Sequence, residues 1–199
     1  MSWLNNLPEN YNMVYNDKQE PYFVHKLATL TTNCNIGAFS YIHGKTRITG
    51  DREIVIGKFC SIASEVRLQV GDEHDYKRIS TYPFDTILGF NKLTYPESFG
   101  EGITIGNDVW IGEGARILSG SKINDGVVVG AGSVVRGELQ AYGVYSGNPC
   151  VLRRFRFEEA VIKKLLVIQW WNWDIKKIEK EINFFNRNPV EILGEDYEK

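Results

Sequence analysis

Along residues 103–135, ITIGNDVWIGEGARILSGSKINDGVVVGAGSVV, an aliphatic side chain returns every six residues, at Ile105, Ile111, Ile117, Ile123, Val129 and Val135. A small or β-branched residue follows four places after most of them, giving Val109, Ala115, Ser121, Val127 and Ser133. Six matches neither the ~3.6-residue period of a helix nor the alternation of a strand, and one strand of this length would far exceed the usual ~5–6 residues. Two inward positions per hexapeptide fit a chain that turns a corner every six residues, so that three short strands close one turn of a parallel β-helix. Each strand then pairs with those one turn above and below, about 4.8 Å away.

The same register runs through Val24, Leu30, Ile36, Ile42 and Ile48, with Ala28, Cys34, Ser40 and Thr46 in the small slot. It expands by two residues at TGDREIVIG, where Ile54 and Ile56 follow Ile48, and resumes at Ile56, Ile62 and Leu68 with Cys60 and Val66 as the small residues. It then stops until Ile103. The pattern predicts an N-terminal cap over 1–23, a β-helix over 24–156 with a loop excursion at 69–102, and a C-terminal helical segment over 157–199. The first segment is polar and aromatic without a clear period, and is expected to cover the open end of the coil, whose strand edge invites aggregation. In the last, Val161, Leu165 and Ile168, then Ile175, Ile178, Ile182 and Phe185, recur at helical spacing. Asp174 is the expected N-cap between two helices, and Pro189 ends the pattern.

Composition narrows the function classes. A chain of 199 residues with net charge -2 lacks the basic balance that marks a nucleic-acid binder. No apolar run approaches the ~18 residues of a membrane span, and MSWLNNLPENYN lacks the regions of a signal peptide, so the expected location is cytoplasmic. Cys34, Cys60 and Cys150 have neither disulfide-framework nor zinc spacing, and the first two sit in the small slot, where a reduced thiol packs as a small hydrophobe. His25 and His43 lie one coil apart in the same hexapeptide slot, and are expected to stack at the surface. Zinc needs three or four convergent ligands, and no third histidine or cysteine shares that face in register, so no metal site is expected.

FCSIASEV, EHDYKRISTYPF, ITIGNDVWIGEGARI, GAGSVV, YSGNPCVLRRFRF and IQWWNWDIKKI occur in an order that resembles the hexapeptide-repeat, left-handed β-helix acyltransferases. The chain is most similar to the xenobiotic acetyltransferase branch, which holds chloramphenicol and streptogramin acetyltransferases and many sugar acetyltransferases. The resemblance implies an all-β fold, a left-handed parallel β-helix with a protruding loop and a C-terminal helical cap. It further implies transfer of an acetyl group from acetyl-CoA to a hydroxyl or amine, and a homotrimer with the active site between neighbours. A sugar or saccharide is the leading acceptor and an antibiotic the alternative; a β-helix scaffold that has lost its chemistry is a further reading.

An alcohol is a poor nucleophile at neutral pH, so the reaction calls for a base whose reference pKa lies near 7, as histidine's does at about 6.5. His74 stands in the excursion seven residues before TYPF, where the similar enzymes place their catalytic histidine. Relatives usually flank it with asparagine and arginine; here Glu73 and Asp75 do so, which bears on the acceptor contacts. By resemblance, Trp110, Tyr41 and Tyr82 are candidates for the acceptor pocket; Trp110 is equally readable as a subunit contact. Trp170, Trp171 and Trp173 read as packing between helix and coil. Gly112, Ala115, Gly130, Ala131 and Ser133 leave backbone within reach of the pantetheine amides, and Arg153 or Arg154 supplies a cation for the coenzyme A phosphates.

Overall fold

The computed structural model describes residues 7–30, 33–71, 74–92 and 101–194. Short parallel strands stack into three faces around one core. The first face holds Pro21–His25, Tyr41–Ile42, Ser61–Ile62, Trp110–Ile111, Val128–Val129 and Gly143–Ser146. Thr29–Leu30, Arg47–Gly50, Arg67–Val70, Arg116–Leu118 and Val134–Val135 form the second, and Cys34–Ile36, Ile54–Ile56, Ile103–Ile105, Lys122–Ile123 and Glu138–Leu139 the third.

The hexapeptide register is the core. Ile42, Ile62, Ile111 and Val129 stand directly above one another, and Ile48, Leu68, Ile117 and Val135 repeat this on the second face, all buried. Polar residues in the small slot stay inside because the turns satisfy them. The Ser40 hydroxyl donates to the Gly57 carbonyl and the Thr46 hydroxyl to that of Ala63, both at 2.7 Å. Burial pushes the Cys60 thiol up to about 12, which keeps it protonated and fits its role as a small core residue. The two-residue expansion sets Ile54 opposite Cys34 on one side and Ile103 on the other, so an isoleucine fills a slot that is small elsewhere. The chain departs there through Gly50, whose φ is 133° and where a Cβ would meet the Val70 carbonyl oxygen at 2.0 Å.

Both ends of the first face close with antiparallel strands. The N-terminal segment is a hairpin, Tyr11–Tyr15 against Pro21–His25, whose turn is held by Asn16 Oδ1 accepting the Lys18 and Glu20 N–H groups at 3.0 Å each. At the other end Val151–Phe155 runs back along Gly143–Ser146, where the repeat predicts further coil. The excursion carries α1 (Phe84–Leu88), and α2 (Glu159–Ile168) and α3 (Ile175–Lys180) follow the coil. Val161, Leu165 and Ile168 bury against Tyr142, Trp171 and Trp173, and Trp170 packs on Phe59 of the coil with ring centroids 4.9 Å apart. Asp174 caps α3 as expected, its carboxylate accepting the Lys176 N–H at 2.8 Å. The second helix is shorter than its apolar spacing predicts. It yields to a 3₁₀ turn at Ile182–Asn186 that leaves Ile182 and Phe185 exposed. Pro189 opens another turn, Pro189–Gly194, which returns Ile192 to the cluster around α2. Among the described residues no helix is long and apolar enough to cross a membrane.

Candidate active site

The outward positions of the first face form a column. Tyr41 pairs with Ser61, Ser61 with Trp110, Trp110 with Val128, Val128 with Val144, and Val144 with Arg154. Tyr41 and Trp110 are therefore two rungs, about 10 Å, apart on one face. The small Ser61 lies between them, leaving a notch walled by two aromatic side chains, of which Trp110 is 55% exposed. Sequence reasoning misses Ser61 because the whole excursion separates it from Trp110. Tyr82 lies in the excursion, exposed, and its ring contact is with Phe84 at 4.9 Å.

The turns leading from the first face to the second bring Gly112, Ala115, Gly130, Ala131 and Ser133 onto one edge of the prism. A Cβ on Gly112 would lie 2.6 Å from the Ala131 nitrogen, and one on Gly130 2.9 Å from the Ser146 Cβ. Close stacking of successive turns accounts for both glycines. Ala115 and Ser133 point inward, so the edge offers a ligand backbone rather than their side chains. Ala131 is an exposed residue whose N–H makes no hydrogen bond among the described residues, whereas its neighbours Gly130 and Gly132 donate to the carbonyls of Tyr145 and Glu113.

The three arginines of LRRFRF separate. Arg154 is exposed at the foot of the column, and among the described residues its side chain has only the Phe155 carbonyl as a partner, at 3.5 Å. Arg153 is held by Ser146, its Nε donating to Oγ at 2.9 Å and its Nη2 to the carbonyl at 3.1 Å. Arg156 turns inward. It donates to Asp108 Oδ2 at 3.0 Å and the Gly126 carbonyl at 2.8 Å, and lies over the rings of Tyr142 and Phe157. Burial pushes the Asp108 carboxyl up while the Arg156 guanidinium pulls it down, with burial the stronger. Asn107, beside it in NDVWIG, ties three coils together: its Oδ1 accepts the Lys58 N–H at 2.9 Å, and its own N–H and Nδ2 donate to Asp125 Oδ1 at 2.6 and 2.9 Å. These two residues of the motif are a structural staple.

His74 is exposed, and its Nδ1 lies 2.6 Å from the Thr81 carbonyl oxygen. A carbonyl only accepts, so Nδ1 carries the proton and, in the neutral ring, Nε2 presents its lone pair outward. Asp75 is occupied by Arg78 at 3.2 Å; Glu73 lies outside the described residues. His25 and His43 do stack, with centroids 5.4 Å apart, but His25 is buried rather than at the surface, because Tyr11 of the hairpin packs edge-on against both rings. His25 Nδ1 accepts the Leu27 N–H and its Nε2 faces the Asn10 amide, each at 3.0 Å.

A family model described as bacterial transferase hexapeptide (six repeats) matches residues 102–137. A probable macrolide acetyltransferase of Lysinibacillus sphaericus is 40% identical over 75% of this chain and 86% of its own length. A chloramphenicol acetyltransferase of Escherichia coli is 32% identical, covering 81% of this chain and 86% of the relative. The solved structure of a maltose O-acetyltransferase from Clostridium difficile 630 has 26% identity and a TM-score of 0.52, over 68% of this chain and 66% of that one. Hexapeptide coils on both sides of the excursion, together with acetyltransferases at least 30% identical over more than two thirds of the chain, make this chain a member of the hexapeptide-repeat acetyltransferases, in the branch of the xenobiotic acetyltransferases.

Proposed function

We propose that this acetyltransferase moves the acetyl group of acetyl-CoA to a hydroxyl of a small acceptor, with His74 as general base. The observation that carries the reading is the bond from His74 Nδ1 to the Thr81 carbonyl, which fixes the tautomer and leaves Nε2 to accept a proton. As Nε2 takes the acceptor's hydroxyl proton, the oxygen attacks the thioester carbon, a C–O bond forms, and the C–S bond breaks to release coenzyme A as a thiolate. A thiol with a reference pKa of about 8.5 is a competent leaving group, and the proton on His74 can follow it. The Ala131 N–H supports a pantetheine carbonyl at the coil edge, and Arg154, with Arg153 beside it, supports the phosphates. Tyr41, Ser61 and Trp110 offer the acceptor a notch with aromatic walls, and Tyr82 lies seven residues beyond Asp75 in the excursion that carries the base.

The contacts of His74 lie within the excursion, which also exposes Tyr76, Ile79 and Phe90 to 78%, 111% and 62%. Apolar surface of that kind supports assembly. We infer a homotrimer in which the excursion of one copy faces the donor edge of the next.

A hydroxyl-bearing antibiotic is the acceptor class placed first, because relatives matched over most of their length are named for macrolides and chloramphenicol. A saccharide, which the sequence ranks ahead, is the second reading, favoured by the likeness to the maltose enzyme. The test is coenzyme A release from acetyl-CoA with a panel of macrolides, chloramphenicol, streptogramins, oligosaccharides and nucleotide sugars. Acceptor-dependent release with one class identifies it; release with none contradicts both readings.

A further inference from the structure

On the second face the outward positions of three successive rungs are Arg47, Arg67 and Arg116, directly paired in register. Thr29 precedes the row and Val134 ends it. Strand spacing sets neighbouring members about 4.8 Å apart. All three are exposed, and among the described residues none makes an ion pair or side-chain hydrogen bond. They line a groove of about 490 Å³ whose other charged groups, Lys45 and Glu65, pair with each other at 3.5 Å.

Like charges placed directly opposite one another destabilise a sheet. Acidic residues are not scarce in this chain, which has 25 of them against 23 lysines and arginines. On the third face Lys122 and Glu138 occupy adjacent rungs in the same way and close a 2.9 Å ion pair. The fold thus pairs opposite charges across rungs in one place and lines up three uncompensated guanidiniums in another. A negatively charged ligand is the partner that removes the repulsion.

We propose that this ladder binds an oligophosphate, a ligand with two or more phosphates in line, each guanidinium fork taking the oxygens of one phosphate. Fork geometry and permanent charge suit arginine to phosphate, and a row at strand spacing rewards a ligand that repeats its charge along the prism axis. The groove meets the proposed donor edge at Gly114, so the ligand lies beside the acetyl-transfer site and not in it.

The test is calorimetry on the full chain at low salt, where exposed charges are least screened. Tripolyphosphate is the probe, inorganic phosphate the single-anion control, and ADP the arm that separates a free oligophosphate from a nucleotide. Tripolyphosphate is expected to bind at least tenfold more tightly than inorganic phosphate. Arg67→Gln, which removes the middle rung, should weaken it about tenfold, the effect of losing one charge-assisted contact. Lys122→Gln, which removes one positive charge from the third face and lies in neither proposed site, should leave it unchanged, which shows that the loss belongs to the ladder and not to net charge. ADP weakened by Arg67→Gln in the same ratio identifies a nucleotide read through its phosphates; ADP indifferent to Arg67 beside a sensitive tripolyphosphate identifies a free oligophosphate, and both support the ladder. A higher melting temperature for ligand-free Arg67→Gln at low salt would show the relieved repulsion and exclude unfolding as the cause of weaker binding. Tripolyphosphate that binds Arg67→Gln as well as wild type, or no more tightly than inorganic phosphate, overturns the proposal.

Discussion

Arg156→Gln tests the staple that joins the NDVWIG corner to the start of the helical segment. The guanidinium donates to Asp108 and to the Gly126 carbonyl and covers two aromatic rings. A hydrogen bond to a charged partner contributes about 1.5–3 kcal/mol, and breaking a fully buried ion pair from one side costs about 3–5 kcal/mol. Here the side chains of Arg156 and Asp108 are 28% and 26% exposed, so water screens part of the interaction. The expected loss is about 2–3 kcal/mol, below the fully buried case. The penalty should also depend on pH. Burial already holds the folded Asp108 carboxyl above its ordinary value, and Arg156 is the group that pulls it back. Without Arg156 the native carboxyl binds its proton still more tightly than the unfolded one. Stability then falls as pH rises from the ordinary carboxylate range through the raised value, and is recovered on acidification. Urea unfolding of wild type, Arg156→Gln, Asp108→Asn and the double variant, at neutral and at mildly acidic pH, closes the cycle. The double variant should recover part of the loss, since no uncompensated carboxylate remains. A single variant within about 0.5 kcal/mol of wild type, or a penalty that grows on acidification, would refute the reasoning.

Ile117 is fully buried between Leu68 and Val135, so Ile117→Ala should lower the unfolding free energy by about 2–5 kcal/mol in urea denaturation; a negligible change would mean that the position faces solvent. Arg154→Gln should weaken acetyl-CoA binding about tenfold by calorimetry, and Arg153→Gln less, because Ser146 already holds that guanidinium; equal affinities across the three proteins would remove both arginines from the donor site.

The interior of the coil was the most legible part of the sequence, because burial repeats there with a period that no other element has. Ile105, Ile111, Ile117, Ile123, Val129 and Val135 are all buried, and the expansion at Ile54 is visible as an extra pair of residues. The ends were not legible by periodicity. YNMVY and PYFVH form two strands that are half-buried along much of their length, so neither shows a clean alternation; the signal available was the turn chemistry of NDKQE between two aromatic, β-rich runs. Ile182 and Phe185 kept helical spacing without helical backbone, since the chain tightens into a 3₁₀ turn after Glu181 and local spacing cannot tell the two apart. In the candidate site, Tyr41 and Trp110 could be named individually, but their shared column could not be read. Placing Trp110 above Ser61 requires knowing where the excursion leaves and rejoins the coil, between Val70 and Ile103. The arginine ladder was hidden by the same gap, with Arg47 and Arg67 on one side of the excursion and Arg116 on the other.

The proposed division of labour gives the base to His74 and the donor contacts to the coil edge and Arg154. Steady-state coenzyme A release with the identified acceptor, measured beside calorimetric acetyl-CoA binding for wild type and His74→Ala, tests it most directly. Loss of a general base lowers turnover by about 10²–10⁴, roughly 3–5 kcal/mol of barrier, while acetyl-CoA affinity should stay within a few-fold because the donor contacts lie on the coil edge and at Arg154. A His74→Ala enzyme that binds acetyl-CoA normally and turns over near the wild-type rate would contradict the account and assign the proton to another group or to the acceptor itself.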